Sequence, residues 1–294
     1  MYTFVIIAWG AFVRFSGSGD GCGKHWPLCQ GYILPGGPGS QMLATWIEFI
    51  HRAKSGLLGL LILGLGLASL KVFPKRHLAR KAAASSVFFM ITEALLGAWL
   101  VLAGLVNDNH SNLRVFAVGV HSINTLFLLG SLVLLFVWSH FKNPNFGWRN
   151  ATDIPRSLTV GTVAGFLILA VTGALASLGQ TMFPSESLTE GWTKDFHPES
   201  HWILRIRLFH PFLAVAVAGF FIALSIKLSG HFKSKVESLR KNFPLIVLAT
   251  LVIGLTTLVS LSPTSLRLVH LVFADLLWSS LLCLIAFAYT KESA

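Results

Sequence analysis

Apolar residues recur along this chain of 294 residues in eight long runs, each bounded by short polar segments. The runs cover roughly Met1–Phe15, Trp46–Leu70, Ala82–Val106, Val115–Ser139, Leu158–Leu178, Trp202–Leu228, Pro244–Leu261 and Leu266–Tyr289. Most approach the roughly 20 residues that a helix needs to cross a bilayer. Within lipid a helix satisfies all of its own backbone amides, so the pattern predicts an all-α membrane protein of eight transmembrane helices. The first run is short. It has no basic leader and no small-residue cleavage site, so it does not read as a signal peptide; a late start codon would shorten a helix in the same way.

Composition supports this picture and charge adds direction. Hydrophobic residues make up 54% of the chain and charged residues 12%, too few charges to solvate a globular surface. The net charge of +11 would suit nucleic acid if it were spread over a polar surface. Instead it gathers between apolar runs, at Lys71, Lys75, Arg76, Arg80 and Lys81, at Lys142, Arg149 and Arg156, and at Lys227, Lys233, Lys235, Arg240 and Lys241. That is the positive-inside pattern, and it points to anionic membrane lipid rather than nucleic acid. It predicts a multi-pass protein of the cell inner (plasma) membrane with both termini cytoplasmic. Cys22 and Cys29 then lie outside, where a disulfide can persist. Cys283, deep in the last run, has no partner and reads as core.

Of eleven histidines, only His51, His121, His210 and His270 fall inside apolar runs. Each stands a few residues into an even-numbered run, and even-numbered runs all enter from the outer side. At 1.5 Å rise per residue the four share a shallow depth. Their spacing is also regular, 70 residues from His51 to His121 and 60 from His210 to His270. The segments GAFVRFSGSG and GALASLGQ, LLGAWLVLAG and IGLTTLVSLS, and GVHSINTLFLL and LVHLVFADLLW echo one another at corresponding places. Such a repeat predicts two pseudo-symmetric four-helix bundles, residues 1–142 and 155–294, related by an axis along the membrane normal.

Two imidazoles facing each other inside an apolar four-helix bundle are suited to clamping a haem iron. A zinc site would need further ligands, and no cysteine or carboxylate recurs in both halves. A ferritin-like di-iron site would need two Glu-x-x-His motifs, whereas only Glu48 stands three residues before an intramembrane histidine, His51. Arg52, Lys54, Arg114, Arg205, Arg207 and Arg267 lie near the outer ends of runs, the side expected to be poor in basic residues. They either snorkel to the interface or pair haem propionates, for which Arg52, Arg114, Arg205 and Arg267 are the candidates. Glu93 and Asp275 are intramembrane acids, costly to bury and candidates for proton transfer or local hydrogen bonding.

The run GSGDGCGKHWPLCQG, followed by WIEFIHR, EALLGAWLVLAG and GVHSINTLFLL, resembles the haem A synthase family, with its specificity concentrated in the first half. The resemblance implies oxidation of a haem O methyl through an alcohol and a gem-diol to the formyl of haem A, for use by terminal oxidases. It implies that His210 and His270 hold a cofactor haem b, that His51 and His121 hold the substrate haem O, and that Glu48 is essential to catalysis. Glu48 shares a helix face with His51 and has two readings, as a proton acceptor at the haem edge or as a partner of Arg52 or His51. Cys22 and Cys29 form either a structural or a redox-active disulfide. The second-half loop GQTMFPSESLTEGWTKDFHPESHW has no cysteine, which fits a cofactor role for that half. A haem O synthase is the expected neighbour, together with an electron-transfer partner that the sequence leaves unidentified. Two other functions use the same histidines: a non-catalytic diheme membrane cytochrome carrying electrons from quinol to an outer-side partner, and a haem carrier. Neither accounts for a carboxylate beside one haem site only.

Overall fold

A computed structural model describes residues 1–35, 42–232 and 234–292, with the side chain of Ser234 outside the description; Lys233 and the Pro/Gly stretch 36–41 lie outside the described residues. Among the described residues, seven helices are long and apolar enough to cross a membrane. They are α2 (Met42–Val72), α3 (Leu78–Leu102), α4 (Asn112–Trp138), α5 (Arg156–Met182), α7 (Ile203–Lys227), α8 (Ser234–Val259) and α9 (Thr264–Tyr289). The first helix, α1 (Tyr2–Phe15), is apolar but has only 14 residues. A short α6 (Leu188–Phe196) sits in the long segment between α5 and α7.

Several helices outrun the apolar stretches that announce them. Helix α8 begins ten residues before Pro244, in a polar segment where Arg240 binds both oxygens of Glu237 at 2.6 and 2.8 Å and the carbonyl of Ser225 at 3.2 Å. Hydropathy alone cannot see such turns because capping and ion pairing hold them. Helix α6 escaped prediction for the same reason: Ser187 accepts the amide of Glu190 at 3.1 Å, and Glu190 accepts the amide of Glu186 at 2.7 Å, a local polar closure.

Helices α1 to α4 pack in sequence, α1 on α2, α2 on α3 and α3 on α4. Helices α5, α7, α8 and α9 do likewise. The two groups meet mainly through α4 and α9, and the first helix of each leans on the last helix of the other, α1 on α9 and α5 on α4. Burial follows from this arrangement. In α4 and α9, 39% and 44% of the apolar stretch is buried, against 11–28% in the other long helices, so these two form the axis. Their contact is specific: the Trp278 indole donates to the carbonyl of Leu126 at 2.9 Å, and its ring stacks on Phe166 at 4.9 Å. Outward faces stay apolar and exposed, as at Leu60, Leu67, Phe88, Phe212 and Leu245, the surface that a bilayer would cover.

The two ends differ. At the end rich in lysine and arginine, β1 (Pro144–Phe146) pairs antiparallel with β2 (Thr290–Glu292), and Glu292 accepts the amides of Lys142 and Asn143 at 2.9 and 2.8 Å. These bonds hold the Glu292 carboxyl below its ordinary range. At the other end lie the cysteine loop, α6 and the starts of α2, α4, α7 and α9.

Candidate functional site

Cys22 and Cys29 are joined in a disulfide, and both are buried. Their loop folds down on the first turns of α2, where Thr45 Oγ1 donates to the carbonyl of Gly21 at 2.7 Å. Glu48 locks the two together. Its Oε2 accepts the Cys22 amide at 2.8 Å, and its Oε1 accepts Nε and Nη2 of Arg52 at 3.1 and 2.5 Å. Arg52 Nη1 in turn donates to the carbonyls of His25 and Leu28, each at 2.6 Å. With Glu48 only 3% exposed, the carboxylate depends on these partners for its charge balance. The disulfide loop is thus latched to α2 by one buried ion pair.

The intramembrane histidines follow a rule that their sequence positions did not reveal. A Cβ placed on Gly10 of α1 would stand 2.8 Å from Cε1 of His51 on α2. On Gly173 of α5 it would stand 2.8 Å from Cε1 of His210 on α7, and on Gly254 of α8 it would stand 2.8 Å from Cε1 of His270 on α9. Each of these three rings therefore lies across a glycine of a neighbouring helix, in space that any side chain would fill. Gly10 and Gly173 head two of the echoing segments, GAFVRFSGSG and GALASLGQ, which was the available signal. His210 and His270 approach with ring centroids 6.5 Å apart and planes at 86°; Thr172 Oγ1 lies 3.2 Å from His210 Nδ1. His51 Nδ1 is buried without a hydrogen-bond partner among the described residues.

His121 breaks the rule. The glycine at the matching place, Gly97, has nothing within 4 Å of a Cβ. His121 Nδ1 instead lies 3.2 Å from Glu93 Oε2, an ion-pair distance without hydrogen-bond geometry. Glu93 is held by Asn124 Nδ2 at 2.6 Å and Thr125 Oγ1 at 2.5 Å, with Thr92 Oγ1 on Asn124 Oδ1 at 2.7 Å. A carboxylate this close to an imidazole favours its charged form electrostatically. Asp275, the other intramembrane acid, is 3% exposed with Oδ2 unpartnered among the described residues. No group of three His, Cys, Asp or Glu side chains is arranged to hold one metal ion among those residues.

The outer arginines divide by occupation. Arg52 is spent on Glu48 and the loop. Arg207 pairs with Asp195 and donates to Gln180 Oε1 at 2.8 Å, and Arg205 donates to the carbonyl of Pro198 at 3.4 Å. Lys54 lies over the Trp9 ring at 3.9 Å. Arg114 is 3% exposed and donates to the carbonyls of Asn107 and Asn109. Arg267 donates to Thr181 Oγ1 at 2.9 Å and Thr264 Oγ1 at 3.2 Å.

Comparison with known proteins places this arrangement in a family. A protein named protoheme IX farnesyltransferase in Thermus thermophilus is 36% identical over 95% of the chain, which spans only 45% of that relative's length. A protein named heme A synthase in Bacillus licheniformis is 30% identical over 79% of the chain and 73% of its own length. Another of that name in Exiguobacterium sibiricum is 29% identical over 66% of the chain and 64% of its own length. Residues 1–282 match the family described as COX15-CtaA, cytochrome oxidase assembly protein. With a match that runs from α1 into α9, the chain belongs to the COX15-CtaA family.

Proposed function

We propose that the protein is a haem A synthase, oxidising the methyl group of haem O to the formyl group of haem A. The observation that carries this reading is the repeated seating of His51 on Gly10 and His210 on Gly173, joined to family membership. It supports two four-helix halves, α1–α4 and α5 with α7–α9, in which α1 is the eighth span. The basic ends of the bundle support a cytoplasmic placement for that face, with the disulfide loop outside.

Histidine pairs in an apolar bundle suit haem. His210 and His270 can each offer a nitrogen to one iron, and the glycines beneath the rings leave the backbone side free of side chains. In this reading His210 and His270 hold haem b, and His51 and His121 hold haem O as substrate. Bound haem b supplies a one-electron redox centre. His121 has Glu93 beside it, whereas among the described residues no carboxylate pairs with His210 or His270, so the two pairs are chemically distinct. Glu48 stands one turn from His51 on α2. Its carboxylate, held by the Cys22 amide and by Arg52, is a group of this half that can accept a proton. The disulfide acts structurally in this reading. The same asymmetry disfavours a diheme electron carrier, which has no use for Glu48 beside one pair alone.

The Thermus relative, named for a haem-farnesylating activity, contains a region homologous to this chain in under half its length. That supports a haem O synthase as the neighbour that delivers the substrate. The test is to co-express the chain with a source of haem O, extract the porphyrins and chromatograph them. Haem A appears with the wild type and not with Glu48→Ala; haem O and haem b alone from the wild type would end the assignment.

A further inference from the structure

Among the described residues, three arginines at the outer end of the bundle lack a carboxylate partner of the kind that Arg52, Arg207 and Arg240 have. Arg14 ends α1, Arg114 opens α4 and Arg267 opens α9. Arg14 lies within electrostatic reach of both others, and the Arg14 and Arg267 guanidiniums both approach the ring of Phe15, at 5.1 and 4.2 Å. None of the three forms an ion pair among the described residues. Arg14 and Arg267 each keep a buried Nε with no hydrogen-bond partner there. A cleft of about 310 Å³ opens beside them, lined by Arg14, Gly17, Asn107, Asp108, Arg114 and Thr181. Two guanidiniums, Arg14 and Arg114, thus share this cleft with one carboxylate, Asp108, and the third, Arg267, is joined to its wall through Thr181. Uncompensated buried cations and unpaired N–H donors are costly, and an oxyanion ligand removes both costs.

The position identifies the oxyanion. Arg267 stands one helical turn outward from His270, Arg14 one turn outward from the Gly10 that seats His51, and Arg114 two turns outward from His121. The cluster therefore lies on the outer side of both histidine pairs, where α1 meets α9 and α5 meets α4. Arg14 and Arg114 come from the first half; Arg267 and Thr181 come from the second. We propose that Arg14, Arg114 and Arg267 form a single carboxylate site, shared by the two halves, that takes the propionates of the tetrapyrroles bound in both. This rests on the haem reading above and adds to it that neither half completes its own propionate site.

The test uses the purified full chain in nanodiscs, titrated with iron protoporphyrin IX or with its dimethyl ester while the Soret band is followed. The wild type is expected to bind the free acid roughly tenfold more tightly than the ester, the size of one charge-assisted hydrogen bond. Arg14→Gln, a first-half change, is expected to weaken the acid but not the ester at His210/His270, measured with His51→Ala/His121→Ala as background. Arg267→Gln is expected to do the same at His51/His121 in the His210→Ala/His270→Ala background, and Arg→Lys at either position to restore part of the loss. Equal affinity of the wild type for acid and ester overturns the proposal without needing any variant, as does an effect of each arginine confined to its own half. A preference for phosphatidylglycerol nanodiscs that Arg14→Gln abolishes, with acid and ester equal, would assign the cluster to a lipid phosphate and also overturn it. Failure of the wild type to bind either porphyrin through its histidines would overturn the haem reading itself, and is recognised by a Soret band unchanged between wild type and the His→Ala backgrounds.

Discussion

At the scale of single residues, Glu48 shows how one side chain can serve structure and chemistry together. Its carboxylate has one oxygen on the Cys22 amide and the other on Arg52. Glu48→Gln keeps the size and loses the charge, so haem A formation should fall below detection while both histidine pairs still bind haem, as porphyrin chromatography and the haem content of the purified protein would report. Arg52→Ala is expected to do different damage. It leaves Glu48 buried without its counter-charge and releases the carbonyls of His25 and Leu28, a loss of about 3 kcal/mol, read as a lower thermal midpoint of the purified protein.

His201 carries a pH effect at the same scale. Its Nδ1 accepts the amide of Ile203 at 3.2 Å at the start of α7, which requires an unprotonated Nδ1. Burial, with His110 nearby, holds its pKa below the ordinary 6.5. The unfolded chain therefore binds this proton more readily than the folded one, so the contribution is full above about pH 6.5 and is lost as pH falls through the lowered value. Hydrogen exchange at Ile203 and Leu204 should accelerate between pH 7.5 and 5.5 beyond the intrinsic trend, and His201→Gln should remove that excess.

At the scale of elements, the glycine seats join pairs of helices at the histidines. A Cβ at Gly173 or Gly254 has no room without moving an imidazole, and overpacking of this kind costs roughly 1–3 kcal/mol. Gly173→Ala and Gly254→Ala should each reduce haem content several-fold in the purified protein. Gly97→Ala, where a Cβ meets nothing, should leave it unchanged, so a loss there equal to that of Gly254→Ala would remove the seat argument. The histidines and the echo of GAFVRF with GALASL were legible in the sequence. The contacts were not, because seating depends on the distance between helices, which no one-dimensional period encodes. For the same reason α6 and the polar first turns of α8 escaped notice: local capping decides them, and hydropathy is blind to it.

At the scale of the molecule, the two histidine pairs lie in separate groups of helices joined along α4 and α9. Pyridine haemochrome analysis should find that His51→Ala/His121→Ala keeps the haem held by the second pair, whereas His210→Ala/His270→Ala removes it. Loss of all haem from the first variant would mean that the pairs do not act as separate sites.

The apolar helices, the charge asymmetry of the two ends, the four histidines and the cysteine loop beside Glu48 follow from residue order alone, because hydropathy and charge are properties of each residue where it stands. Which glycine lies under which histidine, that Arg52 is committed to Glu48 while Arg14 has no ion pair among the described residues, and that Glu93 stands beside His121 where the others have a glycine seat, come from the packing of the helices. Those outcomes turn on how close two helices come and on which donors remain once the nearer acceptors are taken, and both are set by packing across the whole chain.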